Sequence, residues 1–407
     1  MGILYTLLGF LLGFFLVYFT IPALIRVSIA KHLYDTPNER KVSKVVVPTL
    51  GGVAIFIGFI LSTIIATDGY NFGELKYLIA AVITMFFVGL KDDLMDISAR
   101  KKLMVQITTA VILIVLGNFR FTDLQGVFGI HELNYAVSFS LTLFVMIAVI
   151  NAFNLIDGID GLASGISIVI SLVFGTWFLL AGHYEYGIMC FSLTGSLLGF
   201  FIFNVFGKKN KIFMGDTGSL ILGVIMVILV IKFNELNINQ TLPYSVKSAP
   251  IVSIAILIIP IIDTLRVFFI RLSEHRSPFT PDMNHIHHNF LKLGHSHLKS
   301  TLLIVTINIL FIAFAFSFNQ VVNINNLMIS TFALGFIIAY IPVLVLKRKQ
   351  PATIYFIKEK TLSKNIFKRT EIAAESNFSL YNFSPINSDI TAKKKVTKKQ
   401  MEESEVL

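Results

Sequence analysis

Long uninterrupted apolar runs constrain this chain more than anything else in it. The first, at 2–25, contains no charged residue at all. A backbone inside a bilayer has to satisfy its own hydrogen bonds, so a run of about 16 to 23 apolar residues reads as a helix able to cross the hydrocarbon core. Eleven such runs fall at about 2–25, 51–67, 75–90, 103–117, 135–153, 162–181, 187–206, 219–234, 249–270, 300–318 and 327–346. They predict an all-α integral membrane protein with about eleven transmembrane helices. With 55% of residues hydrophobic, 14% charged and a mean hydropathy of +0.76, an ordinary soluble domain is excluded. No Lys or Arg precedes the first run, which therefore reads as a retained span and not as a cleaved signal peptide.

The connecting loops alternate in charge. Arg26, Lys31, Arg40, Lys41 and Lys44 follow the first run, Lys91, Arg100, Lys101 and Lys102 the third, and Lys208, Lys209 and Lys211 the seventh. Arg271, Arg276, Lys292 and Lys299 follow the ninth and Lys347, Arg348 and Lys349 the last, whereas Arg120 and Lys247 are exceptions on the other side. By the positive-inside rule the N-terminus lies outside and the C-terminus in the cytoplasm. Beyond residue 346, thirteen Lys and Arg stand against seven Asp and Glu, a large part of the net charge of +10. On a membrane protein such a tail marks the cytoplasmic side and anionic lipid, not nucleic acid. The expected organisation is a polytopic transmembrane domain over 1–346 and a basic, solvated and disordered tail over 347–407, with Lys393, Lys394, Lys395, Lys398 and Lys399 near its end. A lone Cys190 rules out a disulfide framework and a cysteine metal site. On the external side, residues 118–134 have the glycines for a short hairpin.

Four polar clusters fall on loops that this topology places at the cytoplasmic face. Asn151, Asn154, Asp157, Gly158, Asp160 and Gly161 stand between two apolar runs. One Asp there is explained by capping the next helix, but two Asp and two Asn together point to an ion or ligand. Asp92 and Asp93 close the third run, where the helix dipole and their mutual repulsion both disfavour them. A divalent cation would relieve this, and Lys91 would do so in part; a solvated acid pair is the plain alternative. Asp216 precedes Thr217, Gly218 and Ser219 at a helix start, where free amides attract anions and an Asp can bridge to phosphate through Mg2+. An N-cap role for Asp216 or Thr217 is the simpler reading. Phe213 is an interface aromatic or a ring that stacks on a base. His285, His287 and His288, near Asp282 and followed by His295 and His297, suit Zn2+ by composition and phosphate equally well. Asp263 and Arg266 lie close to Pro260, which is expected to kink the ninth span, and they read as an internal salt bridge or as a ligand contact. No P-loop or Rossmann glycine motif occurs.

Taken in order, Asp92-Asp93, Asn151-x-x-Asn154-x-x-Asp157-Gly-x-Asp160-Gly161-Leu162, Phe213-Met-Gly-Asp216-x-Gly-Ser219 and His285-x-His287-His288 resemble the polyprenyl-phosphate N-acetylhexosamine-1-phosphate transferases. The resemblance covers about residues 1–346. It extends to Asp35 through Lys41 and to Pro48 through Gly52, although Ser43 stands where the family often has His. It implies a bacterial inner-membrane, multi-pass enzyme with its active site on the cytoplasmic face. Such an enzyme transfers HexNAc-1-phosphate, GlcNAc-1-phosphate being the first expectation, from a UDP-N-acetylhexosamine to undecaprenyl phosphate with release of UMP. This is the priming step of a cell-surface polysaccharide. Mg2+, or Mn2+ in its place, is the implied cofactor, and a homodimer is admitted. By the same resemblance Asp216, Asp92 and Asp93 are expected to serve catalysis and the metal and His285 to serve catalysis. Asn154, Asp157, Asp160, Phe213, His287, His288 and Arg266 are expected to bind substrate. Alternatives are the related phospho-MurNAc-pentapeptide transferase of peptidoglycan synthesis, a cation or metal transporter, and a non-catalytic scaffold. A transporter would place ionisable groups near the bilayer midplane, whereas these clusters lie at one face.

Overall fold

A computed structural model describes residues 2–33, 47–67, 73–241, 244–277 and 283–349. Asp35 through Lys41, Ser43, Asp282 and the basic tail from residue 350 lie outside the described residues. The chain divides into two units, Met1–Leu346 and Lys347–Leu407. Among the described residues the first is mostly helical, with one hairpin.

Each apolar run becomes helix. In order these are α1 (Gly2–Ala30), α2 (Gly51–Ala66), α3 (Leu75–Met95), α4 (Ala99–Val115), α5 (Tyr135–Ile156), α6 (Leu162–Leu180) and α7 (Tyr184–Phe201), which runs into a π-helical turn at Ile202–Phe206. Then come α8 (Gly215–Leu236), α9 (Ala249–Ile256), α10 (Ile258–Ser273), the short α11 (Ile286–Lys292), α12 (His297–Phe318) and α13 (Ile324–Lys349). Seven of the described helices are long and apolar enough to cross a membrane, or eight when the bent pair α9 and α10 counts as one span. This makes the protein a multi-pass membrane protein. The expected spans at 51–67, 75–90 and 103–117 are α2, α3 and α4. Of these, α2 has 16 residues, α3 ends on Lys91, Asp92 and Asp93, and α4 has 17 residues and opens on Arg100, Lys101 and Lys102.

The run at 249–270 does not form one straight helix. It breaks at Leu257, and the two halves meet at 76°. Pro260 has no amide to donate to the carbonyl of Ile256, one turn earlier, so that bond of the helix ladder is missing. Asn308 of α12 supplies a donor instead, its Nδ2 lying 3.1 Å from the Ile256 carbonyl.

Helix α8 is apolar on every side, and its residues from Leu220 to Ile231 are all buried. A helix with no polar face belongs in the centre of a bundle, and α8 packs against α2, α3, α5, α6 and α9. Apolar attraction between helices is weak in lipid, so close approach of backbones has to supply the packing. A Cβ on Gly52 of α2 would lie 2.2 Å from the Gly218 amide, and one on Gly89 of α3 would lie 2.4 Å from Thr217 Cα. The first turn of α8 is thereby held against two neighbouring helices at van der Waals distance.

Beyond the opposite end of α8, strands β1 (Asp123–Val127) and β2 (Ile130–Glu132) form the expected antiparallel hairpin. Phe128 and Gly129 between them both have positive φ, 53° and 76°, the requirement of a tight two-residue hairpin turn. Glu235 of α8 accepts hydrogen bonds from the amide and hydroxyl of Thr122 at 2.8 and 2.6 Å, tying the loop to the helix end.

Candidate active site

The acid pair and the Asn/Asp stretch meet the first turn of α8, and the histidine loop packs on the Asn/Asp stretch. Gly215 starts α8 with φ +71°, and a side chain there would meet the Thr49 carbonyl and the Asp93 carboxylate. Asp93 Oδ1 accepts from the Asp216 amide at 2.7 Å, and its Oδ2 accepts from the Thr217 amide at 3.0 Å and from the Thr217 hydroxyl. The cap of α8 therefore comes from α3, not from Asp216 or Thr217, and these two amides are not free for a phosphate. Burial lifts the Asp93 carboxyl to about 6, against the hydrogen bonds from Thr217 and Asp216 and with the nearby charge of Asp92.

The cation beside the acid pair is Lys102, not Lys91. Its Nζ lies 2.8 Å from Asp92 Oδ2 and 2.5 Å from Asp216 Oδ2. Asp92 also accepts from the Ile97 amide at the end of α3. Burial pushes the Asp92 carboxyl upward, but the hydrogen bonds from Asp216, Lys102 and Ile97 and the Lys102 charge outweigh it and hold it below the usual carboxylate range. Lys102 is raised in turn, because Asp216 and Asp92 outweigh its own burial.

Within the Asn/Asp stretch the residues divide. Asn151 donates to Gln106 Oε1 at 2.9 Å and to the Ile147 carbonyl at 2.8 Å, so it fastens α5 to α4. Asn154 accepts from Ser219 Oγ at 2.7 Å, which ties α5 to α8. Asp157, just past α5, is lifted to about 7 by burial and then by the like charges of Asp216, Asp93 and Asp160. Asp160 is held below its usual range: Lys211 Nζ at 2.6 Å and His297 Nδ1 at 2.9 Å prevail over its burial.

The histidine loop sits on this stretch. A Cβ on Gly158 would lie 2.1 Å from His287 Nε2, so only glycine lets the ring approach. His287 is buried, and among the described residues neither of its ring nitrogens has a hydrogen-bond partner. Its burial lowers its pKa to about 3, against the attraction of Asp263, and it is neutral at pH 7. His285 Nδ1 lies 2.9 Å from Asp263 Oδ2, and Asp263 Oδ1 accepts from the Ile286 amide at 2.8 Å. Arg266, expected to touch substrate, faces inward: it lies 3.5 Å from Asp263 and donates to the Asn284 carbonyl. The ring of His288 lies 4.3 Å from that of His287.

Among the described residues no three His, Cys, Asp or Glu side chains form a ready-made metal shell. The rings of His285 and His287 stack nearly parallel, with an 11° interplanar angle, instead of converging as a Zn2+ site would require. Asp93 is committed to the backbone of α8. Asp92 and Asp216 already share one cation, the Lys102 ammonium, while Asp93 and Asp157 are pushed toward protonation nearby. Two carboxylates are fewer ligands than Mg2+ takes, so water and phosphate oxygens would have to complete its shell.

Lys102, Lys211 and His297 are the groups that sequence reasoning passed over or left unassigned. The lysines belong to basic runs already explained by topology. Yet Lys102 stands in the first turn of α4, where the helix dipole disfavours a cation unless an acid is close.

The fold and the site define a helical multi-pass membrane protein whose carboxylates and a lysine gather at one helix start, with a histidine loop packed beside them. Residues 75–234 match Glycosyl transferase family 4. The undecaprenyl-phosphate alpha-N-acetylglucosaminyl 1-phosphate transferase of Escherichia coli K12 is 32% identical over 275 residues, covering 67% of this chain and 72% of that protein. The Salmonella typhi protein of the same name is 34% identical over 283 residues, 69% and 74% of the two chains. The probable undecaprenyl-phosphate N-acetylglucosaminyl 1-phosphate transferase of Bacillus subtilis strain 168 is 31% identical over 304 residues, 74% and 82%. The chain belongs to glycosyl transferase family 4.

Proposed function

We propose that this protein transfers GlcNAc-1-phosphate from UDP-GlcNAc to undecaprenyl phosphate, releasing UMP. The observation that carries the reading is the Lys102 bridge between Asp92 and Asp216, at a helix start with Asp157 beside it. An oxygen of the lipid phosphate attacks the sugar-bearing phosphorus of the donor, the bond between the two donor phosphates breaks, and UMP leaves with the electron pair. Both reactants are anions, so such a reaction needs alignment and charge neutralisation more than covalent help. Lys102 supplies a fixed positive charge where negative charge gathers. Asp92 is lowered and therefore ionised at neutral pH, which makes it a weak base, and its part is to hold the Lys102 ammonium in place.

Asp93 acts on geometry: by capping α8 it sets the position of Asp216. The Asp263–His285 pair fixes the histidine loop, and His287 packs on Gly158 as a buried neutral ring with a single N–H to donate. Arg266 serves the same loop through Asn284. Mg2+, or Mn2+ in its place, would be held by Asp92 and Asp216 and would neutralise charge on the donor phosphates. Asn154 and Asp157 line the site, and Phe213 stands at the nucleotide side.

The names of the relatives favour an N-acetylglucosamine donor over the pentapeptide of the peptidoglycan enzyme. Basic loops support eleven spans, an external N-terminus and an active site on the cytoplasmic face of a bacterial inner membrane, where sugar nucleotides are available. The homodimer rests on the family resemblance alone. The test is mass spectrometry of the lipid fraction after incubating purified protein with undecaprenyl phosphate, UDP-GlcNAc and Mg2+. Undecaprenyl-diphospho-GlcNAc is the expected product; unchanged undecaprenyl phosphate with folded protein would contradict the reading.

A further inference from the structure

A second layer of polar contacts lies one helical turn beyond the Lys102 bridge. On α4, Gln106 stands four residues after Lys102, and on α8, Ser219 stands three after Asp216. On α5, Asn151 and Asn154 are likewise three apart. Residues at these spacings share one face of a helix. Gln106 is buried and meets Asn151 in a reciprocal carboxamide pair: Asn151 Nδ2 donates to Gln106 Oε1 at 2.9 Å, and Gln106 Nε2 lies 3.5 Å from Asn151 Oδ1. Ser219 Oγ donates to Asn154 Oδ1 at 2.7 Å, joining α8 to α5.

These contacts close into a circuit. From Asp216 it runs through Lys102 to Gln106 along α4, across to Asn151 and Asn154 on α5, and through Ser219 back to Asp216 on α8. Each of the three helices is therefore cross-linked to the other two, and the Lys102 contact is one of the three links. Among the described residues, Asn151 is the one hydrogen-bond partner of the Gln106 side chain. A buried carboxamide between apolar helices is costly unless it is paired, so the pair fixes the height of α4 against α5. A slide of one residue would carry α4 by about 1.5 Å and break the pair. It would also carry the root of Lys102 away from Asp216.

We infer that Gln106 is a positioning residue: paired with Asn151, it sets the height of α4 at which the Lys102 ammonium reaches Asp92 and Asp216 together. Its effect on catalysis rests on the transferase reading above. Its effect on the place of Lys102 does not.

The experiment uses the full chain in detergent and two readouts. The first is labelling of the Lys102 amine by acetic anhydride, followed by peptide mass spectrometry, which needs no turnover. Gln106→Leu should speed this labelling several-fold, because an ammonium no longer held by two carboxylates gives up its proton more readily. The second is UMP release with undecaprenyl phosphate saturating. Gln106→Leu should lower kcat on the order of tenfold, the result of misplacing a charge by a fraction of a turn, and leave the KM for UDP-GlcNAc within about twofold. In a Lys102→Met background the same change should lower kcat no further, because Gln106 acts through the lysine. If Gln106→Leu does not fold, Gln106→Asn shortens the same arm by one methylene and asks the same question. Adding Asn151→Gln to it restores the combined length of the pair and should recover most of the activity. Losses that multiply in the Lys102→Met background would give Gln106 a role apart from the lysine and overturn the inference. Lys102 labelling unchanged by loss of the pair would overturn it as well. Folded wild-type protein that releases no UMP would bring down the functional reading, while the labelling would still decide whether Gln106 places Lys102.

Discussion

Lys102 and Asp216 stand 114 residues apart in the chain and 2.5 Å apart in the fold. The lysine opens α4, the aspartate opens α8, and Asp92 at the end of α3 accepts from the same ammonium. This ties the ends of three helices to a single positive charge, which is where two substrate phosphates would have to be brought together.

Replacing Lys102 by Met should lower kcat about 100-fold, the scale of losing one preorganised charge in a site of this kind. Lys102→Arg should recover only part of it, since a planar guanidinium does not reproduce a point charge. Initial rates of UMP release, measured with both substrates saturating, check this.

Asp93 and Asp216 should separate by stability. Asp93→Ala leaves the first amides of α8 without their acceptor and should cost about 2 kcal/mol as well as activity. Asp216→Asn should abolish activity and leave the melting temperature unchanged or raised, because it removes one of several crowded carboxylates. Thermal melts of the two variants beside the wild type in one detergent decide it.

The carboxyl of Asp157 gives a pH dependence. Burial and neighbouring acids raise it from 3.8 to about 7 in the folded protein. Between these values the folded state keeps a proton that the unfolded chain has lost, so this group makes stability fall as pH rises from about 4 to 7. The metal-free wild type should melt at a lower temperature at pH 7.5 than at pH 5, and Asp157→Asn should flatten that difference. A wild-type slope retained in full by Asp157→Asn would contradict the assignment.

Gly89→Ala tests the packing that positions the site. Its Cβ would lie 2.4 Å from Thr217 Cα, so α3 or α8 has to move. Overpacking of this kind costs about 1 to 3 kcal/mol. Activity should fall together with the melting temperature, while Gly129→Ala, in the distant hairpin, should leave activity unchanged.

The helices were legible because a bilayer allows few alternatives: each apolar run became helix, and Pro260 signalled the break that fell at Leu257. The short or charged runs at α2, α3 and α4 show where hydropathy stops being sufficient. The four polar clusters were legible as clusters, because Asn and Asp are costly between apolar runs. Their division of labour was not. Nothing local distinguishes Asp93, which caps a helix 123 residues away, from Asp92, which holds a lysine. Lys102 and Lys211 looked like the loop charges that set topology, and only the fold brings each of them to a carboxylate. Arg266 is the reverse case, a cation near the site that pairs with Asp263 and the Asn284 carbonyl through Nη2, while its Nε has no partner among the described residues.

The most direct measurement is UMP release by purified protein supplied with undecaprenyl phosphate and Mg2+, with UDP-GlcNAc, UDP-GalNAc and UDP-MurNAc-pentapeptide in parallel. Release from UDP-GlcNAc, lost on adding EDTA and lost in Asp216→Asn, is the predicted result. Folded protein that releases no UMP from any of the three donors would contradict the account.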